Sequence, residues 1–392
     1  MYSHNRIMAE QKEDSFCTDG LAEVIGLSLL KKKIEGRQAI KAYWGTAPTG
    51  EPHLAYLLPL LKVREMVKAG WHVTVLVADV HSYMDEGAEA CSNVQQRAAY
   101  YKYLIASILE RLGVAPGEYD IVLGSEYQFD RKYCIDLFKF TSMVGVRDAK
   151  KASSDVVKQS KNPRLSNLIY PLMQVLDETV LEADVQLGGM DQRKIFMMSW
   201  DWVEKLGHTR TTYFMTPIIP SLTYGKLYVN EKKQMLSKYA KEIEEGKIDE
   251  VELERRLKEH LKKRAKMSSS DPNGKLAFTD TDEEIARKVR KAFCLDQDER
   301  LELNSLLCLL KYVVFPFFET FEIKREEKYG GDKKYDSFVQ FMDDWRSGAI
   351  VGADLKPNLS NYLITLVAPI REKIEQRPIL RSQAYPQKNP KK

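Results

Sequence analysis

Pro48-Thr49-Gly50-Glu51-Pro52-His53-Leu54-Ala55-Tyr56 follows a strand-like run at residues 39–45 (AIKAYWG) and opens a helix-like stretch at 54–69. Strand, Pro/Gly turn and helix in that order make the first part of a β-α unit, with the turn at the carboxyl end of the strand. A helix start carries unpaired backbone N–H groups and the positive end of the helix dipole, so it attracts phosphate. His53 and Tyr56, three apart, share one face of the first turn. A hydrogen-bonding side chain placed there would face a nucleoside triphosphate. The plainer reading is a capped surface helix with a polar first turn, because P-T-G-x-x-H also recurs by chance.

Working outward, the same alternation repeats. Strand-like 73–78 (VTVLVA) and 119–124 (YDIVLG) alternate with helical stretches at 88–112, and helices fill much of 131–159 and 163–179. Residues 183–187 form a short inner strand, and Asp191 is placed to cap the helix after it. This pattern predicts an α/β fold, a Rossmann-like doubly wound parallel sheet with ligands at the carboxyl ends of its strands. Tyr43, the loop at His53 and Asp79 all fall at such ends. From about residue 281 the pattern turns helical, at 283–293 and 302–318. Residues 376–392 are rich in Pro, Lys and Gln and read as a flexible tail.

Composition agrees. The 392 residues are enough for two domains with appendages, 44% hydrophobic content builds a sizeable core, and 30% charge suits a soluble protein. A net charge of +4 is mild, so a polyanionic partner must bind through local patches. No apolar run approaches 18 residues and the N-terminus lacks an apolar signal core, which predicts no membrane association and a cytoplasmic location. The five cysteines (17, 91, 134, 294 and 308) are scattered without C-x-x-C spacing, so no metal site is expected and a reducing compartment fits.

Three further segments carry chemistry. Lys266-Met267-Ser268-Ser269-Ser270, followed by Asp271-Pro272-Asn273-Gly274, combines a cation, small hydroxyls and a Gly/Pro-rich surround, as a mobile phosphate-covering loop requires. Gly188-Gly189-Met190-Asp191-Gln192-Arg193-Lys194 sets a glycine pair before a helix start. On a helix Tyr170, Gln174 and Asp177 step by four and three residues and point one way. Such a polar face is costly to bury unless a polar ligand satisfies it.

Together these segments resemble the class I aminoacyl-tRNA synthetases, and within them the tyrosyl-tRNA synthetases of the eukaryotic and archaeal kind, from about residue 43 to 373. His53-Leu54-Ala55-Tyr56 matches the HIGH position and residues 266–270 the KMSKS position. Tyr56 stands where the second HIGH histidine would be, and Ser269 replaces the second KMSKS lysine. The resemblance implies a ligase that activates tyrosine with ATP to tyrosyl-adenylate plus pyrophosphate, then transfers tyrosine to the 3′ end of tRNA(Tyr). His53, Tyr56, Lys266, Ser268 and Ser269 would stabilise the transferring phosphates, with Mg²⁺ carried by the ATP. Gly189 and Asp191 would hold the nucleotide, Asp191 at its ribose. Tyr43 and Asp177 would hydrogen-bond the phenolic hydroxyl, Tyr170 and Gln174 would grip the α-amino group, and Gln192 would sit near the carboxylate. Taken alone, Tyr43 reads better as an ordinary core aromatic at a strand end, and Asp177 equally well as a solvent-facing helix carboxylate. Tyr329 and Asp354 resemble the anticodon site, although a surface hairpin and a helix N-cap would also account for them. Lys151, Arg193 and Lys194 are candidates for the acceptor stem, and a homodimer is implied.

The resemblance divides the chain into an N-terminal extension (1–38), a catalytic domain (39–225), a charged helical insertion (226–265), a KMSKS-type loop (266–280), a C-terminal α-helical anticodon-binding domain (281–375) and the tail. The insertion has no counterpart in the family pattern. Within it residues 241–265, rich in Glu, Lys and Leu at helical spacing, suit a helical hairpin on the surface, whose basic end, Lys262-Lys263-Arg264, would alternatively touch tRNA. It also holds a decoy, Lys233-Gln234-Met235-Leu236-Ser237-Lys238; residues 266–270 are preferred because their Met-Ser-Ser register is unbroken.

Overall fold

The computed structural model describes residues 17–86, 93–156 and 162–386. They divide into two compact units, one drawn from the chain up to residue 51, residues 58–217 and the chain from 373, the other from residues 52–57 and 218–372.

The first unit is built on six strands: β1 (Glu23–Ile25), β2 (Lys41–Thr46), β3 (His72–Val77), β4 (Tyr119–Leu123), β5 (Val185–Gly189) and β6 (Thr212–Thr216). Their order is β1-β6-β5-β2-β3-β4. All neighbours run parallel except the antiparallel edge pair β1 and β6. The doubly wound sheet is therefore as expected. In β3 Val73, Val75, Leu76 and Val77 are all buried, the continuous apolar run of a parallel strand covered on both faces. The order changes direction beside β2, which pairs with β3 on one side and β5 on the other. Ligand crevices form outside the carboxyl ends of strands at such a switch point; Tyr43, opposite Thr74 and Gln186, lies beside it but inside β2, as the third of its six residues, rather than at the strand's carboxyl end as expected.

Four further expectations need correction. Residues 1–38 are not a mere extension, since β1 completes the sheet by pairing Val24 with Phe214. Three residues are too few for periodicity to reveal. Residues 54–56 form a 3₁₀ turn, and the α-helix runs from Leu57 to Lys68. Asp191 does not cap the following helix: a 3₁₀ turn at Met190–Gln192 intervenes, and the helix Arg193–Trp202 starts after Gln192 without side-chain capping. The tail is ordered in part, since Pro378–Ala384 is a helix packed on the helix Val94–Arg111. Seven residues cannot hold a helix alone. This one is held by Pro at its first turn, an Arg381–Glu51 ion pair at 2.7 Å, and the Tyr385 ring edge-on to Tyr100 at 5.9 Å. The expected helices at 88–112 and 131–159 appear as Val94–Arg111, Arg131–Met143 and Val146–Ser153, and residues 88–92 and 157–159 lie outside the described ones.

In the second unit the insertion forms helices Tyr224–Lys238, Ala240–Glu244 and Glu250–Ala265. The first and last pack together through Tyr224, Tyr228, Leu257 and Leu261, with Leu303 in the same cluster. Asp249 caps the last helix by accepting from Glu252 N at 2.7 Å. The hairpin expected within 241–265 is therefore displaced: residues 240–244 form only a short helix, and the partner that packs on Glu250–Ala265 through an apolar seam is Tyr224–Lys238, upstream of the expected segment. The run at 302–318 is broken: helix Ser305–Leu309 passes through a π turn at Leu310–Val314 into Phe315–Phe318. Pro316 lacks the N–H that a continuous helix would need there. Beyond it, β7 (Phe321–Ile323) pairs antiparallel with β8 (Lys333–Tyr335), followed by helices Phe338–Ser347 and Gly352–Gln376. Between β7 and β8 the chain turns through Gly330 (φ 104°) and Gly331 (φ 69°), a left-handed pair that explains why glycines follow Tyr329.

Candidate active site

The helix Leu165–Val180 carries Tyr170, Gln174 and Asp177 on one face, as the spacing predicts. Asp177 is 1% exposed and Tyr43 2% exposed, so neither is solvent-facing. Asp177 Oδ1 accepts from Gln128 Nε2 at 2.8 Å and from Tyr133 Oη at 2.9 Å. Its other oxygen lies 3.7 Å from His81 Nε2 and has no hydrogen bond. Around it, Tyr43 Oη, Tyr127 Oη, Gln128 Oε1 and both ring nitrogens of His81 are likewise buried without hydrogen-bond partners. Buried polar atoms left unpaired are rare and costly. Several in one place mark a surface made for a polar ligand.

Burial dominates the electrostatics. It pushes the Asp177 carboxyl above its usual range, against the opposing pull of His81 and of the donated hydrogen bonds. It lowers His81 despite the nearby carboxylates of Asp177 and Asp79, so the imidazole is neutral. Tyr43 is raised well above an ordinary phenol by burial and then by the charges of Glu178 and Asp177. Glu178, buried next to Asp177 in sequence, accepts from Ser199 and from Tyr213 Oη at 3.3 Å, and burial pushes it up to about 8.

Beside this cluster Gln174 Nε2 donates to Gln192 Oε1 at 3.2 Å, and Gln192 Nε2 contacts Asp191 Oδ1 at 3.4 Å. Gln174, Gln192 and Asp191 thus form one hydrogen-bonded line. The glycine pair before them is a packing requirement: a Cβ on Gly188 would lie 2.6 Å from the Phe196 ring, and one on Gly189 2.7 Å from Asp191 Oδ1. Tyr170 sits edge-on to His81 with ring centres 4.7 Å apart.

In the second unit His53 precedes the 3₁₀ turn in extended conformation, with the Tyr56 ring edge-on at 5.5 Å. His53 bridges to Ala277, and Leu54 N donates to Leu276 O at 2.8 Å. This seats residues 276–277, just after the Lys266–Ser270 loop, against the His53 turn. In the loop Lys266 bridges to Pro220, and buried Met267 donates to Ile219 O at 3.0 Å. Ser268 Oγ and Ser270 Oγ are 3.0 Å apart, and Lys275 Nζ donates to Ser269 O at 2.9 Å. Burial, helped by the positive charges of Lys275 and then Lys266, lowers His53 to about 3. The imidazole is neutral and its buried Nδ1 has no hydrogen-bond partner. The decoy at 233–238 lies inside the helix Tyr224–Lys238, so it offers no loop.

Of the RNA candidates, Tyr329 is 62% exposed in the β7–β8 loop. Asp354 is held: its Oδ2 accepts from Arg325 Nη1 at 3.1 Å and from Val351 N at 3.2 Å, at the start of the helix Gly352–Gln376. Arg325 Nε also donates to Gly331 O at 2.9 Å, so one guanidinium ties the Tyr329 loop to Asp354. In the first unit Lys151 is exposed, whereas Arg193 makes a two-pronged bond to Glu23 and Lys194 bonds Ser154 and Asp155.

Sequence reasoning missed His81, Gln128, Tyr127, Tyr133 and Lys275. His81 lies two residues past Asp79 at the end of β3 and was within reach of the strand-end rule. Asp79 itself is structural, accepting from Val80 N and Ser125 N. The others carried no local signal.

Comparison with known proteins supports the same reading of the fold. The family described as tRNA synthetases class I (W and Y) matches residues 35–368. The cytoplasmic tyrosine–tRNA ligase of Danio rerio is 37% identical over 372 residues, covering 94% of this chain and 62% of that protein. The cytoplasmic tyrosine–tRNA ligase of Saccharomyces cerevisiae is 35% identical over 364 residues, covering 91% of this chain and 82% of its own length. The chain thus spans less than two thirds of the vertebrate relative. A crystal structure of tyrosyl-tRNA synthetase complexed with L-tyrosine from Archaeoglobus fulgidus superposes with a TM-score of 0.77 at 29% identity, covering 93% of this chain and 99% of that one. With a matched family region spanning most of its length, the chain belongs to the class I tRNA synthetases of the tryptophan and tyrosine family.

Proposed function

We propose that the protein is a tyrosine–tRNA ligase. The observation that carries this is the cluster of buried, unpaired polar atoms around Asp177 and Tyr43, where a phenol can both donate and accept. The relatives' names and the tyrosine bound in the Archaeoglobus protein point to the same amino acid. A phenylalanine ring would leave the same atoms unpaired, and a site built to hydrogen-bond a hydroxyl rejects the analogue that lacks it.

In the first step the tyrosine carboxylate oxygen attacks the α-phosphorus of ATP; the bond to the bridging oxygen breaks and pyrophosphate leaves. This chemistry needs positioning and charge stabilisation rather than a covalent nucleophile. Tyr170, Gln174 and Gln192 hold the amino acid, and Gly189 and Asp191 the nucleotide. Neutral His53 donates a hydrogen bond to phosphate, Lys266 supplies charge, and Tyr56, Ser268 and Ser269 assist. Magnesium would accompany the ATP as its counter-ion and add to the positive charge that these residues supply. In the second step a ribose hydroxyl of the tRNA 3′ end attacks the adenylate carbonyl, and AMP leaves.

Tyr329 would stack on an anticodon base and Asp354 accept from another; Lys151, Arg193 and Lys194 would meet the acceptor stem. The exposed pair that engages Arg193 is weak enough to exchange for phosphate, whereas the half-buried pair of Lys194 with Asp155 is held more firmly. Residues 39–225 would serve as the catalytic domain, and 281–375 as the anticodon-binding one. A homodimer is supported by exposed Phe129, Phe138, Val146 and Leu165 in the first unit. The relatives' names support a cytoplasmic site of action, and no helix among the described residues is long and apolar enough to cross a membrane.

ATP–pyrophosphate exchange measured with each of the twenty amino acids tests the proposal. Exchange with tyrosine alone, followed by charging of tRNA(Tyr), is expected. Exchange supported by tryptophan instead would overturn it.

A further inference from the structure

The loop at residues 266–270 has one lysine where the resemblance leads one to expect two, because Ser269 occupies the second position. The β- and γ-phosphates, which leave together as pyrophosphate, carry more negative charge than one exposed lysine neutralises, and Lys266 is exposed to screening by solvent. Yet the structure does bring a second cation to that point. Lys275 Nζ donates to the backbone oxygen of Ser269 at 2.9 Å, which sets its ammonium at the residue that stands in the missing lysine's place.

The position of Lys275 is fixed from both sides. Downstream, Leu276 and Ala277 are buried, with Leu276 O accepting from Leu54 N and Ala277 bridging to His53. Upstream, Gly274 O accepts from Leu222 N at 2.9 Å. Lys275 is half-buried, so its charge is less screened than that of Lys266. His53 registers this: of the two lysines, Lys275 is the stronger influence lowering its proton affinity.

We propose that Lys275 is the second phosphate cation of this site, pairing with Lys266 to hold the β- and γ-phosphates of bound nucleotide and the pyrophosphate that leaves. The assignment rests on the ligase reading for its reaction, but not for its phosphate chemistry. Lys275 thereby takes over from outside the motif the role that Ser269 cannot fill.

The test uses the full chain and inorganic pyrophosphate as probe, with binding measured calorimetrically for the wild type, Lys275→Gln and Lys275→Arg. Glutamine keeps an N–H donor for the Ser269 carbonyl but removes the charge. Loss of a charged hydrogen bond predicts that Lys275→Gln binds pyrophosphate about 10- to 100-fold more weakly, while Lys275→Arg keeps most of the affinity and tyrosine binding is unmoved in both. Tyrosine-dependent exchange should slow in parallel, with a raised KM for pyrophosphate. Wild-type affinity in Lys275→Gln would show the lysine to be a loop strut only and overturn the proposal, as would equal loss in the arginine variant. If the wild type shows no tyrosine-dependent exchange, the ligase reading falls while the pyrophosphate arm still decides Lys275. A wild type that binds neither pyrophosphate nor ATP overturns both.

Discussion

Gln128 Nε2 donates to Asp177 Oδ1 at 2.8 Å, joining the turn after β4 to the helix Leu165–Val180 inside the buried core of the first unit. With Tyr133 as second donor, one carboxylate oxygen is fully engaged by the protein while the other is not. The carboxylate is thus oriented before a ligand arrives, and such preorganisation cuts the cost of binding. Asp177→Ala is expected to lower the preference for tyrosine over phenylalanine about 10- to 100-fold, the value of a hydrogen bond to a charged group. Exchange kinetics with both amino acids measure it. Unaltered discrimination would remove Asp177 from the pocket.

The neighbouring Glu178 gives a pH signature. Its carboxyl has an ordinary value of 4.5 and is pushed up to about 8 by burial. A raised value means that the folded state holds the proton more tightly than the unfolded chain. Its stabilising effect is therefore complete below about pH 4.5 and is lost as pH rises toward 8. The slope from this one group reaches about 1.4 kcal/mol per pH unit at most. Glu178→Gln should flatten the fall in urea-melt stability between pH 5 and pH 8. Equal slopes in the two proteins would mean that Glu178 is already ionised at pH 5.

Arg325 and Asp354 form a nearly buried ion pair in which the guanidinium also bonds Gly331 O and Ala349 O. Removing one partner of such a pair leaves a buried charge uncompensated, at a cost of roughly 3 kcal/mol or more. Arg325→Met should lose that much stability in denaturant, and Arg325→Lys should not restore it, because an ammonium cannot span all these acceptors. Binding of tRNA should weaken together with the fold, since the Tyr329 loop is then no longer tied to Asp354. Undiminished tRNA affinity in the folded variant would place the anticodon site elsewhere.

What could be read in the chain without coordinates follows physical lines. The apolar run of β3 announces a buried parallel strand, and the i, i+4, i+7 spacing of Tyr170, Gln174 and Asp177 announces a shared helix face, because both signals are local. β1 is silent, since three residues paired to β6 show no period. The tail misled: its Pro, Lys and Gln suggested solvent, but the anchoring comes from Tyr385 and Ala384 meeting the helix Val94–Arg111, which composition does not record. The roles of Gln128, Tyr133 and Lys275 exist only through partners far away in sequence. Lys275 in particular reads as an ordinary surface lysine until the His53–Ala277 bridge is known.

His53 carries no charge beside the two lysines of the loop. Held at about 3 by burial and by two nearby lysines, it stays neutral across the working range, well below the ordinary histidine value of 6.5. In the proposed site a neutral imidazole would serve phosphate as a hydrogen-bond donor and contribute no titration of its own. His53 should therefore add no step of its own near pH 6.5 to ATP affinity, beyond the titration of the terminal phosphate itself, in contrast to what an exposed histidine contact would give. His53→Asn, which retains a donor, should keep more activity than His53→Ala, for which a loss of about 10- to 100-fold is expected. Lys266→Ala should slow adenylate formation while sparing tyrosine affinity, if, as proposed, its charge acts on the phosphates and not on the amino acid. A step near pH 6.5 in the wild type that vanishes in His53→Asn would show that the imidazole takes up a proton when nucleotide binds, and that its neutral-donor role is wrong.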